Sequence, residues 1–303
     1  SNIDSIDKFF KSYSPDIVVN TSRAHAGIKY GRYSWEQLRA YGIWTPLSSL
    51  LIRNIMASHA NVSSHAIVIN TSYSDASNAW LKSGGLSYPD FGSGNLNHLV
   101  PRIKFALIDL LSLSSKDVIE VCLATSHFHN VVISKEGHVE SVSPLLSISV
   151  NGEFLNNIDY DLLYKKCVVN TPSDQRRNMM NASSNFEIID KIITAVRTCT
   201  TVRFHSPGFD GMIGGYPVEI KGDNLVVRID QRFFTQEQMV SHNKESMALD
   251  GIEMIEGGVL TYTPDLVRKI KQVYKVDLQN KIHLSDMDKI ADLFITRIFK
   301  VLK

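Results

Sequence analysis

Three histidines, an arginine pair and one glycine-rich loop carry most of the chemistry open to this sequence. His127 and His129 stand two apart in DVIEVCLATSHFHNVVIS, which reads as strand, and alternation along an extended chain turns both imidazoles to the same side. Such a pair could begin a metal site, but no third ligand follows at motif spacing, so no metal is expected; acid–base work and ordinary packing both stay open. His205 opens HSPGFDGMIGGYPVEI, where four glycines and two prolines precede an apolar run. A phosphate cradle requires the glycines to lead into a helix N-terminus. Here they lead into two Val- and Ile-rich runs separated by Lys221-Gly222-Asp223-Asn224, the signature of a β-hairpin. The loop is therefore expected to be a wall shaped by its backbone, against a ligand or a neighbouring chain, with a purely structural corner as the alternative. Arg176 and Arg177 follow a Thr171-Pro172-Ser173 turn and could clamp a carboxylate or lie as a solvated pair. No GxSxG or HExxH is present, and Cys122, Cys167 and Cys199 lie far apart without CxxC spacing.

These residues must be positioned by a scaffold, and its first part is legible. Asp16-Ile17-Val18-Val19-Asn20-Thr21-Ser22 and Ala66-Ile67-Val68-Ile69-Asn70-Thr71-Ser72 are short apolar runs that each end in Asn-Thr-Ser. Continuous apolar runs suit strands of a parallel sheet. Between them Thr45-Pro46 starts a helix whose Leu47, Leu50, Leu51 and Ile55 share a face, so the unit reads βαβ, with a further helix over 3–10. Ligands of open parallel sheets bind beyond the strands' carboxyl ends, which places Asn20, Thr21, Asn70 and Thr71 where a ligand would be; Asn, Thr and Ser also end strands for structural reasons alone. The segment YSDASN follows, with Asp75, and GSGN stands ahead of a helix over 95–111 that has Pro101 in its first turns.

From Lys116 the pattern changes to hairpins and helices: a hairpin about Asn151-Gly152, helices over 159–167 and 185–198, the latter capped by Ser184-x-x-Glu187, a hairpin over 216–230, another over 252–263, a helix start at Thr263-Pro264 and a last helix after Ser285. The expected fold class is α/β, a partial Rossmann-like parallel sheet followed by an α+β substrate domain with an antiparallel or mixed sheet. The expected division is 1–115, 116–284 for the substrate and dimerisation domain, and 285–303 as a helix returning to the first domain.

Composition sets the bounds. A net charge of +1 over 303 residues supplies no field that would steer the chain to nucleic acid, and no apolar run is long enough for a membrane span. Scattered cysteines fit reduced thiols and a cytoplasmic setting.

The segments PDIVVNTS, YSDASN, GSGN, SHFHN and HSPGFDGMIGGYPVEI occur in an order that resembles saccharopine-dehydrogenase-like NAD(P)-binding oxidoreductases over about residues 3–263, with Gly-Gly-Tyr-Pro-Val as the most specific part. The resemblance implies a Rossmann domain, a substrate domain on a mixed sheet, and hydride transfer between NAD or NADP and an amine or imine derived from amino and keto acids. On that reading Asn20, Thr21, Asn70, Thr71 and Asp75 lie on the cofactor side. His205, with His127 and His129, supplies proton chemistry, and Gly211, Gly214, Gly215, Tyr216 and Arg176 bind the substrate. Two features depart from the family: Met212-Ile213 stand where Leu-Pro is common, and no GxGxxG follows a first strand. The pyrophosphate site would then lie outside this chain, which is expected to bind NAD(P)H only weakly by itself and to expose a sheet edge covered by a second copy or a partner chain. The rival reading is a non-catalytic binding or scaffold protein that keeps the fold without a cofactor.

Overall fold

The computed structural model describes residues 2–25, 33–170, 176–222 and 226–299. It is a mixed α/β structure with one parallel and several antiparallel sheets, as the sequence pattern implies. The turn at 171–173 and Asp223-Asn224 of the 216–230 hairpin lie outside the described residues, as does the side chain of Arg177.

The chain forms two compact units, 1–92 with 208–213 and 247–303, and 93–207 with 214–246. These boundaries differ from the division at 115 and 284 read from the sequence. The reason lies in packing within each unit. The helix α4 (Leu99–Leu111) packs against β4 (Ile119–Ala124) and α6 (Tyr160–Lys166), which draws 93–115 into the second unit. The hairpin β10 (Ile252–Glu256) and β11 (Val259–Tyr262) packs on α3 (Ser74–Ser83), and α10 (Met287–Phe294) on α2 (Thr45–Asn61), so the return to the first unit begins at Met247.

In the first unit a parallel sheet of order β1-β2-β3 is built from Ile17–Asn20, Ile67–Asn70 and Phe91–Gly92. The register sets Ile17 beside Ile67 and Asn20 beside Asn70, so the two Asn-Thr-Ser segments leave the same edge, as the βαβ reading requires. The crossover is α2, with Pro46 in its first turn; Thr45 donates its hydroxyl back to the Gly42 carbonyl at 2.7 Å. Helix α1 (Ile3–Tyr13) begins where the Asn2 side chain accepts from the Asp4 amide at 3.0 Å. An antiparallel sheet of order β10-β11-β12 (β12 Lys281–His283) and helix α9 (Pro264–Tyr274), capped by Thr263, complete the unit. Its core includes fully buried Ile69, Trp80, Leu81, Tyr262 and Phe294. Polar ends of the aromatic side chains are satisfied: Trp80 Nε1 donates to Gly258 O at 3.0 Å and the Tyr262 hydroxyl to Ile43 O at 3.1 Å.

In the second unit β4 pairs antiparallel with β5 (Leu145–Val150), and β5 with β6 (Glu153–Phe154) across the expected Asn151-Gly152 turn, both residues at positive φ (52° and 85°). A second antiparallel sheet runs β7 (Thr201–Pro207), β8 (Gly215–Lys221), β9 (Val226–Ile229). Thr125 and Gly215 form a bridge next to β4 and β8, with amide to carbonyl distances of 2.7 and 3.2 Å.

Two sequence expectations fail here. SHFHNVVIS is not strand: β4 stops at Ala124 and α5 spans His127–Glu136. The β-branched run Val131-Val132-Ile133 is buried on all sides of that helix, so packing overrides a strand preference that rests on the same residues. The 185–198 helix is the second half of α7 (Arg176–Thr198), and Ser184 is interior; its hydroxyl bonds back to Met180 O at 3.2 Å instead of capping.

Candidate functional site

In the first unit the two asparagines form the centre of a polar network at the carboxyl edge of the parallel sheet. Asn20 Nδ2 donates to Asn70 Oδ1 at 2.8 Å, Asn70 Nδ2 to Asn78 Oδ1 at 2.9 Å, and Asn78 Nδ2 to Gly208 O at 3.2 Å. Each also accepts from the amide two residues on, Ser22 N to Asn20 Oδ1 at 3.2 Å and Ser72 N to Asn70 Oδ1 at 3.0 Å. Asn-Thr-Ser is thus an Asx turn made twice, and the amides, both buried, shape the strand ends. Thr21, Ser22 and Arg23 stay exposed at the end of β1, whereas Thr71 is buried. Asp75 sits in the first turn of α3, buried, where the helix dipole favours its charge.

Beside this edge lies a pair that sequence reading missed. Tyr73, in the left-handed region at φ 45°, donates its hydroxyl to Asp250 Oδ2, while Tyr41 N donates to Asp250 Oδ1 at 2.7 Å. Burial pushes the Asp250 carboxyl up to about 6, against the two hydrogen bonds that favour its charge. Tyr73 is held well above its ordinary value by burial and by the carboxylates of Asp250 and Asp75. Tyr73 and Asp250 stand 177 positions apart, and no local signal could have paired them.

The second unit gathers polar side chains around Gly215. His205 and Tyr216 are both buried, and both His205 ring nitrogens lack a hydrogen-bond partner. Burial drives the His205 imidazole down to about 3 and raises the Tyr216 phenol. A neutral imidazole can donate at one nitrogen and accept at the other; it carries no proton to release at neutral pH. Asn97 Nδ2 donates to the His205 carbonyl at 2.5 Å and Asn243 Nδ2 to the Gly215 carbonyl at 3.0 Å. His129 stacks on His242 with ring centroids 6.1 Å apart, and their Nδ1 and Nε2 atoms meet the Ser126 and Ser246 hydroxyls at 3.4 and 3.2 Å. Burial lowers each to about 4. His127 and His129 do not face one way as a strand would set them, because about 100° per helical residue turns them to different sides of α5. Asn97, His242 and Asn243 were not legible as partners; nothing in their local pattern distinguishes them.

The glycines of the loop close on the protein's own groups. Gly208, at φ 64°, lies so near the Ser74 carbonyl that an added methyl would overlap it. At Gly215 a methyl would stand 2.5 Å from His205 Cε1 and 2.6 Å from a Leu96 methyl. Gly211 meets the Lys82 stem and Gly214 the Asn243 amide in the same way. Lys82 Nζ in turn donates to Asp210 O at 2.7 Å and Oδ2 at 3.0 Å. Arg176 begins α7 and is exposed.

Compared with models of protein families, with curated proteins and with solved structures, the chain has no significant match. No helix among the described residues is long and apolar enough to cross a membrane.

Proposed function

We propose that this chain belongs to a saccharopine-dehydrogenase-like oxidoreductase that moves a hydride between NAD or NADP and an amino-acid-derived amine or imine. The observation that supports it is the parallel pair β1 and β2, ending side by side in bonded Asn20 and Asn70 at the carboxyl edge of the sheet, the place where open α/β sheets bind ligands. In this reading Asn20 and Asn70 position the strand ends, Thr21 and Ser22 meet the nicotinamide portion, and Thr71 and Asp75 support the turn into α3. The substrate side is carried by the second unit, with His205 as a neutral hydrogen-bonding group and His127 at the start of α5. A second copy or a partner chain lies along β1: Ile17, Val18 and Val19 are half-buried, Phe9 and Tyr13 are exposed, and an apolar groove runs between α1, β1 and α2. Free thiols, two of the three buried, fit a reducing compartment such as the cytoplasm.

The rival, a non-catalytic binding protein on the same fold, is favoured by one specific observation: the loop glycines and the His205 ring pack on the protein itself. Titration with NADH and with NADPH, followed by NMR of the Asn20 and Asn70 side-chain amides, separates the two. The oxidoreductase reading expects saturable perturbation with a dissociation constant between about 10 μM and 10 mM, roughly 7 to 3 kcal/mol. Unmoved amide signals at about 10 mM of either nucleotide refute it and leave the binding-protein reading.

A further inference from the structure

Helix α7 carries apolar residues on two faces, and the protein itself covers one of them. Ser184, Asn185, Ile188, Ile192 and Ala195 are buried where the helix packs on β7 and β8. Met179, Ala182, Phe186, Ile189, Ile193 and Val196 lie on another face and follow one another at spacings of three, four, three, four and three. That spacing is the a/d repeat of a helix that pairs with a second helix along its length, here over about 26 Å at 1.5 Å per residue. The face is open: 73% of Met179, 68% of Phe186, 51% of Val196 and 37% of Ile193 is accessible, Ala182 is exposed and Ile189 is half-buried. Single exposed apolar residues are ordinary on a protein surface, whereas a continuous stripe of them marks an interaction surface.

Area and symmetry both point to a second copy of this chain as the occupant. A large apolar side chain offers roughly 150 to 250 Å², so the accessible fractions leave about 500 Å² of apolar surface per copy and about 1,000 Å² in a pair, the area a specific interface requires. The stripe is also complementary to itself. Two copies of α7 laid antiparallel about a two-fold axis between Glu187 and Ile188 set Met179 against Val196, Ala182 against Ile193 and Phe186 against Ile189, so every position meets one from the other copy. The smallest side chain, Ala182, then faces a large one. Parallel pairing would set Phe186 on Phe186 and Ala182 on Ala182, overfilling one layer and leaving a gap in the other. We propose that α7 is a dimerisation helix that joins two copies of this chain as an antiparallel pair along 179–196. This interface is independent of the hydride-transfer reading and of whatever lies along β1.

Sedimentation equilibrium of the full chain tests the pairing, with Met179→Glu and Phe186→Glu as variants because both side chains are exposed and their loss leaves the fold's own packing intact. The expected result is a dimer with a dissociation constant on the order of 10 μM or tighter, weakened at least about tenfold in each variant at an unchanged thermal midpoint. A chain that stays monomeric up to about 1 mM overturns the proposal, and so does a dimer that neither variant weakens. Phe9→Glu on α1 is the control for the β1 edge: a dimer lost in that variant and kept in the two α7 variants lies along β1 and overturns the proposal. Direction is read by oxidising a mixture of Ala182→Cys and Ile193→Cys chains, each in a Cys199→Ser background because that thiol is exposed. Disulfides between unlike chains are expected; disulfides only between like chains overturn the antiparallel pairing.

Discussion

The His205 side chain offers the sharpest test of how burial sets chemistry in this fold. Its imidazole is driven from an ordinary value of 6.5 to about 3 by burial, with no partner to stabilise the charged ring. A folded-state value below the unfolded one means that stability is fully present above pH 6.5 and is lost as pH falls toward 3, because the unfolded chain takes up a proton the folded chain refuses. A tenfold difference in proton affinity between the two states is worth about 1.4 kcal/mol, so the whole window carries about 5 kcal/mol and the stretch from pH 7 to 4.5 about 2.5 kcal/mol. His205→Leu removes the titration and keeps an apolar side chain of similar bulk. Urea unfolding of both proteins from pH 7 to 4.5 should show wild type losing about 2.5 kcal/mol relative to the variant, with a slope of about 1.4 kcal/mol per pH unit below pH 6. Histidines common to both proteins, His129 and His242 among them, cancel in the difference. Parallel stability curves, or a His205 ring signal that titrates near pH 6.5 in the folded protein, would refute the reasoning and return His205 to consideration as a proton donor at neutral pH.

Three further outcomes follow from the same geometry. Asp250 shifts the opposite way: its stabilising contribution is complete below its ordinary value of 3.8 and lost as pH rises through about 6, so Asp250→Asn should gain about 2.5 kcal/mol on wild type between pH 4 and 7 in the same assay. Gly208→Ala, placed at φ 64° against the Ser74 carbonyl, should cost about 3 kcal/mol in chemical denaturation, whereas Gly152→Ala, at φ 85° in open space, should cost about 1 kcal/mol; equal costs would deny the close approach. Asn70→Leu leaves Asn20 Nδ2, Asn78 Oδ1 and Ser72 N without their partner and should lower stability by about 3 kcal/mol, while a loss below about 0.5 kcal/mol would mean that the strand-end network contributes little.

Elements whose signals are local were legible in the amino-acid order alone. The twin runs ending at Asn20 and Asn70, the Pro46 helix start, the Asn151-Gly152 turn and the Thr263-Pro264 cap each draw on neighbours within a few residues, and each appears where those neighbours put it. The parallel register even made the Asn20 to Asn70 pairing foreseeable, since one βαβ unit leaves both strand ends on one side. Tertiary structure decided the rest. It turned SHFHNVVIS into helix, because Val131, Val132 and Ile133 are buried whichever way they point. It joined Tyr73 to Asp250 and packed His242 on His129, pairs separated by more than a hundred positions. It also set the charge state of His205, whose neighbours in sequence say nothing about solvent access. Local hydrogen bonding and backbone preference act over one turn or one strand, whereas burial and the company of distant groups exist only once the chain has folded, and those two terms govern what an imidazole or a carboxylate can do.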